Sequence, residues 1–203
     1  MNYKIIFSLS ILLNIPTIYG QNNGEQHKST KLEESFNQND EIINEYLLDE
    51  LRPIRESFKK INSTTNWTEI KEKELRETTE GGEAKFYYLK DDLSKIVTIQ
   101  FGKTFQKLTE YYLSDNGLSF VFEKSYKDNR PIYYDSKTKE ENNDTEEFDF
   151  EKSEIIEERS YFKSNKLIHQ LNNQDCGSPF PLDYLLKEEK RIITNFQSLM
   201  KIK

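Results

Sequence analysis

The sequence is short of cysteine, of basic residues and of long apolar runs, and each shortage excludes a class of protein. The single cysteine, Cys176, cannot form an internal disulfide, so the domain must be held together by packing. Beyond the first 20 residues, no segment is apolar enough to cross a membrane. Basic residues are outnumbered, with 29 Lys and Arg against 36 Asp and Glu. Because nucleic acids and anionic membrane surfaces require a basic surface, this balance argues against both as partners.

Apolar residues make up only 34% of the chain and charged residues 32%, a composition that on its own suggests disorder. Against this, the chain has 13 Phe and 12 Tyr, and they cluster where the strand patterns are clearest. A disordered chain is poor in aromatic residues. We therefore expect one folded domain over residues 40–203, which is long enough to bury a core of its own.

The first 20 residues have the outline of a secretory signal peptide. Lys4 provides a positive start, Ile5–Leu13 is a short apolar run, and Gly20 is a small residue just before the expected cleavage point. A membrane anchor is the alternative, although the run is short for a span. Residues 21–39 are rich in Gln, Asn, Lys, Ser and Glu, which predicts a flexible linker. We expect a secreted or periplasmic protein without stable membrane insertion after signal cleavage.

An aromatic doublet followed by a polar turn recurs along the chain and predicts repeated β-hairpins. The doublets are Tyr87-Tyr88, Tyr111-Tyr112 and Tyr161-Phe162. The first two lie 24 residues apart, and the second and third lie 50 apart, which is close to twice that spacing. A fixed period suggests one supersecondary unit that is used several times. A short Asp/Asn/Gly turn between β-rich runs is a hairpin signal. The predicted strands cover residues 83–90, 93–101, 106–114, 117–126, 154–163 and 166–171.

Helical patterns flank the predicted strands. From Asp40 to Ile61 the apolar residues fall three or four apart, and Pro53 interrupts the register, so we expect two short helices or one bent helix. A second apolar stripe from Pro181 to Met200 predicts a C-terminal helix. Only one face of the predicted sheet is plainly apolar. The expected fold class is α+β: a single twisted antiparallel β-meander of about six strands, with N-terminal helices and a C-terminal helix packed on one face.

A block of negative charge lies between the fourth and fifth predicted strands. Residues 140–158 hold ten acidic side chains against one lysine, a net charge of −9. Such a block predicts a solvated acidic loop, at about residues 135–153. Calcium binding is the alternative, since calcium prefers several carboxylate oxygens, but the Asp-x-Asp-x-Asp-Gly spacing of a calcium loop is missing from the sequence. We expect no metal and no cofactor.

The tyrosines are the most suggestive candidates for a binding site. If the hairpins stack in register, several tyrosines line up across neighbouring strands. They could be cross-strand pairs that stabilise the sheet, or they could form an exposed platform for a glycan, peptide or protein, because tyrosine combines a large ring with a polar tip. The candidate binding residues are Tyr88, Tyr112, Tyr126, Tyr134 and Tyr161.

Two other arrangements could support catalysis. Cys176 and His169 lie seven residues apart across a predicted turn, and a thiolate nucleophile needs a nearby base. The alternative is a structural cysteine in a tight loop and a half-buried strand histidine. A pair of carboxylates, as in glycoside hydrolases, could be drawn from the acidic strand residues, although a solvated sheet face is the better explanation for them. These acidic residues are Glu110, Glu123, Glu157 and Glu158.

Residues 61–67, 80–88, 108–113 and 118–124 are similar to segments of a family of uncharacterised secreted proteins from Bacteroidetes. The similarity runs from about residue 50 to the C terminus and includes residues 173–179. This resemblance implies export and brings no known activity or catalytic residue. The doublet rhythm is also similar to MORN-type hairpin repeats, but the regular glycines of that pattern are missing, so it implies fold alone.

Together these patterns predict an exported envelope protein with a non-enzymatic binding role. Its partner would be a protein, peptide or glycan of the cell envelope, bound on an aromatic sheet face. One alternative is a hydrolase of an envelope polymer that uses a carboxylate pair or Cys176. The other is a structural protein whose partner covers the tyrosine face.

Overall fold

Antiparallel strands form one open sheet, and their order in the sheet is their order in the chain. The computed structural model describes residues 48–114, 117–174 and 180–203. The strands are β1 (Glu69–Leu75), β2 (Gly82–Leu89), β3 (Asp92–Phe101), β4 (Phe105–Ser114), β5 (Gly117–Lys127), β6 (Glu154–Lys163) and β7 (Lys166–Asn172). The predicted α+β meander is confirmed, with seven strands in place of six. The predicted signal peptide, the linker and Cys176 lie outside the described residues.

The strand that the sequence pattern missed is β1, at one edge of the sheet. Its sequence is EIKEKEL, and it pairs with β2 from Glu69 opposite Tyr88 to Leu75 opposite Gly82. Only Leu75 of β1 is buried. Alternating Lys and Glu side chains on an edge strand discourage further strand pairing. Because β1 has almost no apolar face, hydrophobic alternation could not reveal it.

Short turns of two or three residues join β2 to β3, β3 to β4 and β6 to β7. Between β6 and β7, Ser164 and Asn165 have φ values of 51° and 60°. Two consecutive positive φ values are the signature of a type I′ turn, whose twist matches that of the paired strands. Asp115 and Asn116, between β4 and β5, lie outside the described residues. At the start of β2, a Cβ atom on Gly82 would lie 2.4 Å from the Ile99 carbonyl oxygen, so only glycine allows this close approach to β3.

The described residues contain three α-helices: α1 (Leu48–Asn62), α2 (Ser136–Glu141) and α3 (Leu182–Ile202). A 3-10 turn covers Phe150–Lys152. Helix α1 continues through Pro53 as one helix, so of the two predicted alternatives, two short helices or one bent helix, the first does not hold for the described residues. Proline removes one backbone donor there, but Leu51, Ile54 and Phe58 are buried on both sides of it, and this packing keeps the helix whole. Of the helices within the described ranges, none combines the length and apolarity that a membrane span requires.

The two long helices cover opposite faces of the sheet. On one face, Phe58 of α1 packs against Tyr112 of β4, with ring centroids 4.9 Å apart. On the other face, Phe196 of α3 packs against Tyr111, with centroids 6.0 Å apart. Neighbouring residues of a strand point to opposite faces, so both faces are apolar. The prediction that all helices share one face is therefore wrong. We call the two sides the α1 face and the α3 face.

Beyond α1, the α1 face carries a second small core. Val97, Ile99 and Leu108 are buried there. Trp67, which follows α1 in the chain, meets Tyr87 edge to face at a centroid distance of 5.2 Å. The connection between β5 and β6 contributes the partly buried Phe150 to the same core. This connection therefore covers that part of the α1 face, as helix α1 covers the neighbouring part.

Candidate functional site

The predicted binding tyrosines do not form one exposed surface. Tyr88, Tyr112 and Tyr161 are 8%, 0% and 2% exposed, and they belong to the hydrophobic core. The prediction of an aromatic platform is wrong for these three residues. Tyr126 and Tyr134 are half-buried, so each residue keeps part of its surface exposed.

The repeated aromatic doublets do not occupy equivalent positions in the sheet. Lys95 of β3 lies opposite Tyr87 of β2 and Tyr112 of β4, so these two tyrosines share the α1 face. Tyr88 and Tyr111 belong to the core on the α3 face. The doublets of β2 and β4 are thus offset by one residue, and an offset of one residue moves a side chain to the other face of a sheet.

A buried ion pair lies between the tyrosines of the α1 face. Lys95 Nζ is 2.9 Å from Glu110 Oε1, and the two side chains are 2% and 0% exposed. The Tyr112 hydroxyl donates to Glu110 Oε2 at 2.9 Å and lies 3.0 Å from Oδ1 of Asn62, the last residue of α1. The ammonium also lies 5.2 Å from the centre of the Tyr112 ring, within cation–π distance. This cluster ties the end of α1 to the sheet.

A second ion cluster joins α3 to the opposite face of the sheet. Glu123 of β5 accepts two hydrogen bonds from the Arg191 guanidinium and also pairs with Lys107 of β4. Arg191 Nε donates to Glu188, one turn earlier in α3, at 2.8 Å. Burial alone would raise the pKa of Glu123, but the hydrogen bonds and charges of Arg191 and Lys107 outweigh it and lower the pKa to about 2. Glu123 is therefore held as an anion.

Glu158 of β6 lies directly opposite Glu123 in the sheet. Burial raises the pKa of Glu158, and the negative charge of Glu123 raises it further. Arg191 approaches Glu158 only to 3.9 Å, and the Asn172 amide donates to it at 3.3 Å. Two neighbouring carboxylates whose pKa values move apart are the arrangement from which enzymes take an acid and a base.

The structure brings together only two of the four acidic strand residues proposed from the sequence. Glu123 and Glu158 share the α3 face, whereas Glu110 is buried on the α1 face beside Lys95. Glu157 pairs with Lys124 at 3.1 Å. Of these four residues, only Glu123 and Glu158 form a carboxylate pair.

Aromatic and aliphatic side chains with exposed area lie at the end of β5, at the start of β6 and in the connection between these two strands. Tyr126 stacks on Phe150 with ring centroids 5.0 Å apart. Tyr126 is also paired across the strands with Ile155, which is 42% exposed. In the connection between the strands, Tyr133 is 55% exposed and Tyr134 is half-buried. We call these five residues the aromatic end surface.

The connection itself, segment 128–153, is hydrogen-bonded to the sheet and to itself. The Ile132 amide donates to the Lys103 carbonyl at 3.0 Å, between β3 and β4. The Arg130 guanidinium makes two 2.9 Å hydrogen bonds to Asp144, which hold the pKa of that carboxyl below its usual value. The acidic block is therefore an ordered connection with negative side chains on its outside. Its exposed acidic residues, together with the first residue of β6, are Glu140, Glu141, Glu147, Glu151 and Glu154.

The acidic side chains of this segment have structural partners of their own. Asp135 caps α2 by accepting from the Thr138 amide at 2.8 Å, and Asp149 accepts from the Glu151 amide at 3.1 Å. Across the described parts of the chain, no group of three or more His, Cys, Asp or Glu side chains could hold a metal ion.

Of the proposed Cys176–His169 pair, only the histidine lies within the described residues. His169 is half-buried on β7, and its ring centroid is 5.8 Å from that of Tyr161. Burial lowers its pKa, so the imidazole is neutral at pH 7. Its position fits the structural interpretation, that of a half-buried strand histidine.

Sequence reasoning missed Lys95 and Arg191, the cations at the centre of the two ion clusters. A signal was present in both cases. Lys95 directly precedes the apolar run of β3, and Arg191 directly precedes the buried Ile192 within the stripe of α3. A charged residue at a position that should be buried indicates a partner of opposite charge.

Comparison of the chain with protein-family models, with curated proteins and with solved structures finds no match. The resemblances to secreted Bacteroidetes proteins and to MORN-type repeats stay predictions. Function must be inferred from the residues of this chain alone.

Proposed function

We propose that this chain is an exported, non-enzymatic binding module of the cell envelope, and that it recognises a basic protein segment through the aromatic end surface. The supporting observation is that segment 128–153 and the start of β6 carry an exposed tyrosine, an exposed isoleucine and five exposed acidic side chains. Export is the expectation from residues 1–20.

The aromatic end surface supplies the apolar part of the recognition. Tyr133 and Ile155 are 55% and 42% exposed, far more than the residues of the hydrophobic core. Tyrosine is enriched at the centres of protein interfaces because it offers a large rigid area with a hydroxyl that can hydrogen-bond. The ring of Phe150 stacks against the ring of Tyr126.

The acidic side chains determine which kind of partner fits. Residues 128–158 contain twelve acidic and four basic side chains, a net charge of −8. An acidic surface attracts a basic segment, increases the association rate and disfavours acidic partners. A basic peptide or protein therefore fits this surface better than a neutral glycan does.

The proposal can be tested by affinity capture from an envelope extract with the mature chain. The test variant carries Tyr133→Ser and Ile155→Ser. The matched control carries Leu182→Ser and Leu186→Ser on α3, whose side chains are 72% and 56% exposed. We expect the control to retain the partner, the test variant to lose it, and added salt to weaken capture. Retention by both variants, or loss by the control, would contradict the proposal.

A hydrolase is the second candidate, because the pKa values of Glu123 and Glu158 move in opposite directions. A hydrolase needs Glu158 as its acid, so Glu158→Gln would abolish hydrolysis of envelope polymers. If the cluster only fastens α3, the same variant keeps or gains stability at pH 7, because a buried carboxyl with a raised pKa is costly to ionise. Polymer hydrolysis assays and urea unfolding of this one variant separate the two functions.

A further inference from the structure

The cluster between α3 and the sheet holds more negative than positive charge. The Nε atom of Arg191 donates to Glu188 at 2.8 Å, and its two terminal nitrogens donate to the two carboxylate oxygens of Glu123. Its Nη2 atom also lies 3.9 Å from Glu158. Lys107 is the second cation of the cluster and pairs with Glu123. Three carboxylates therefore meet two cations, which leaves one negative charge in excess.

The excess charge falls on Glu158. At 3.9 Å, the Arg191 nitrogen is too far from its carboxylate for a hydrogen bond. The Asn172 side chain does donate to Glu158, at 3.3 Å, but it is a neutral amide. Hydrogen bonds from a cation to a carboxylate are about twice as strong as those between neutral groups. Glu123 receives such bonds, whereas Glu158 does not.

Glu158 also lies where its charge acts on both the sheet and the helix. It is paired with Glu123 across β5 and β6, so two carboxylates stand side by side on the α3 face. A neighbouring carboxylate disfavours the ionised form of a second one. The Glu158 side chain is 20% exposed, so a proton from solvent can reach it.

We propose that Glu158 is a pH-sensitive attachment point for α3. In mild acid its carboxylate takes up a proton from solvent, the excess negative charge beside Arg191 is neutralised, and α3 is held more firmly on the sheet. At neutral pH the proton is released to solvent, and this part of α3 is held less firmly.

The charged groups around Glu158 support this direction. Burial raises its pKa, and the negative charges of Glu123 and Glu188 raise it further. The positive charges of Arg191 and Lys107 oppose the increase only in part. The folded state therefore binds this proton more readily than the unfolded chain does. The resulting stability is fully present below about pH 4.5 and is lost as the pH rises through the pKa of Glu158.

The other groups beside Glu158 keep their charge state in this range. Glu123 has a pKa of about 2 and stays ionised, so its bonds to Arg191 remain. Burial raises the pKa of Tyr184 on α3, so its hydroxyl keeps its proton. Because the contribution of Glu123 is complete above about pH 4.5 and that of Glu158 below it, the cluster should hold α3 most firmly near pH 4.5.

A carboxyl carbon NMR titration of the mature chain measures the protonation of Glu158 directly. We expect a pKa above the ordinary value of 4.5. In the Glu123→Gln variant we expect a lower pKa, because the repelling charge is gone and Arg191 is free to turn to Glu158. A wild-type pKa at or below 4.5, or a pKa that does not fall in the variant, overturns the proposal.

The variant Glu158→Gln imitates the protonated acid at every pH. At pH 7 we expect a higher urea midpoint than that of the wild type, and slower amide exchange in α3 around Arg191 at the same pH. For each unit by which the pKa of Glu158 exceeds 4.5, the unfolding constant should be about tenfold smaller in the variant. The difference should shrink as the pH falls from that pKa toward 4.5. An equal or lower midpoint at pH 7 overturns the proposal.

The matched control is Glu157→Gln, the same change at the preceding residue of β6. Glu157 pairs with Lys124 at 3.1 Å, so its replacement should leave the urea midpoint at pH 7 unchanged or lower it. An equal increase in both variants would show a general effect of removing negative charge from an acidic chain and would also overturn the proposal.

Discussion

Replacement of Glu123 by glutamine removes the anion that fastens α3 to the sheet but keeps the shape of the side chain. Glu123 is 3% exposed and accepts from both terminal nitrogens of Arg191. In the Glu123→Gln variant, Arg191 keeps Glu188 as a partner, whereas Lys107 loses its buried carboxylate. The variant should therefore fold to the same structure with lower stability.

The size of the loss follows from the pKa of Glu123. A shift from 4.5 to about 2 corresponds to about 3 kcal/mol at neutral pH, at roughly 1.36 kcal/mol for each pKa unit. Because the Arg191 side chain is 31% exposed, solvent screening reduces this toward about 2 kcal/mol. A lowered pKa stabilises the folded state only where the carboxyl is ionised. The contribution is fully present above about pH 4.5 and is lost as the pH falls toward 2.

Urea unfolding at several pH values measures this difference, and the single tryptophan, Trp67, reports it because its ring contacts Tyr87. We expect Glu123→Gln to be about 2–3 kcal/mol less stable than the wild type at pH 7, with the gap closing toward pH 2. As a matched control, Glu74→Gln removes an exposed pair with Arg76 and should change little. A gap that does not depend on pH, or a loss no larger than that of the control, would refute the reasoning.

Three further predictions concern the other parts of the fold. Lys95→Met leaves the charge of Glu110 buried without its cation and should cost about 3–5 kcal/mol in urea unfolding; a loss below about 1 kcal/mol would contradict the buried pair. Phe58→Ala removes the ring that lies 4.9 Å from both Tyr112 and Phe120, so it should cost about 3–5 kcal/mol and speed amide exchange in α1 before α3. Calcium or EDTA should leave the thermal midpoint unchanged, and a shift with either would reveal a metal site.

Most of the strands could be predicted because local signals agree with one another there. Aromatic and β-branched runs bounded by polar turns mark β2 to β7, and the structure places their ends within a few residues of the predicted ones. The strand β1 was missed because Glu69 to Leu75 is almost entirely charged. An edge strand is specified by its partner's backbone and by charges that prevent aggregation, not by an apolar face of its own.

The face to which each side chain points could not be predicted from the repeat. The doublets of β2 and β4 look equivalent in the sequence, yet Tyr88 and Tyr112 belong to cores on opposite faces. The pairing places Tyr87 opposite Lys95 and Lys95 opposite Tyr112, so the residues that line up are 25 positions apart, whereas the doublets recur after 24. A shift of one residue exchanges the two faces, so a predicted row of tyrosines became two buried groups.

The ion clusters depend on contacts between residues far apart in the chain. Arg191 and Glu123 are separated by 68 positions, and nothing local relates them. The acidic carboxylates of the strands could be proposed from the sequence, but their cations could not be assigned. Sequence patterns therefore predicted which helices and strands form. The partners of the buried charges could be identified only from the three-dimensional structure.

Hydrogen exchange of the mature chain, with and without a partner recovered by capture, tests the proposed recognition surface most directly. We predict that binding slows amide exchange in residues 126–134 and 150–155, and that salt reduces the effect. Protection confined to the first turns of α3, around Leu182 and Leu186, or no protection at the aromatic end surface, would contradict a binding role for this end of the sheet.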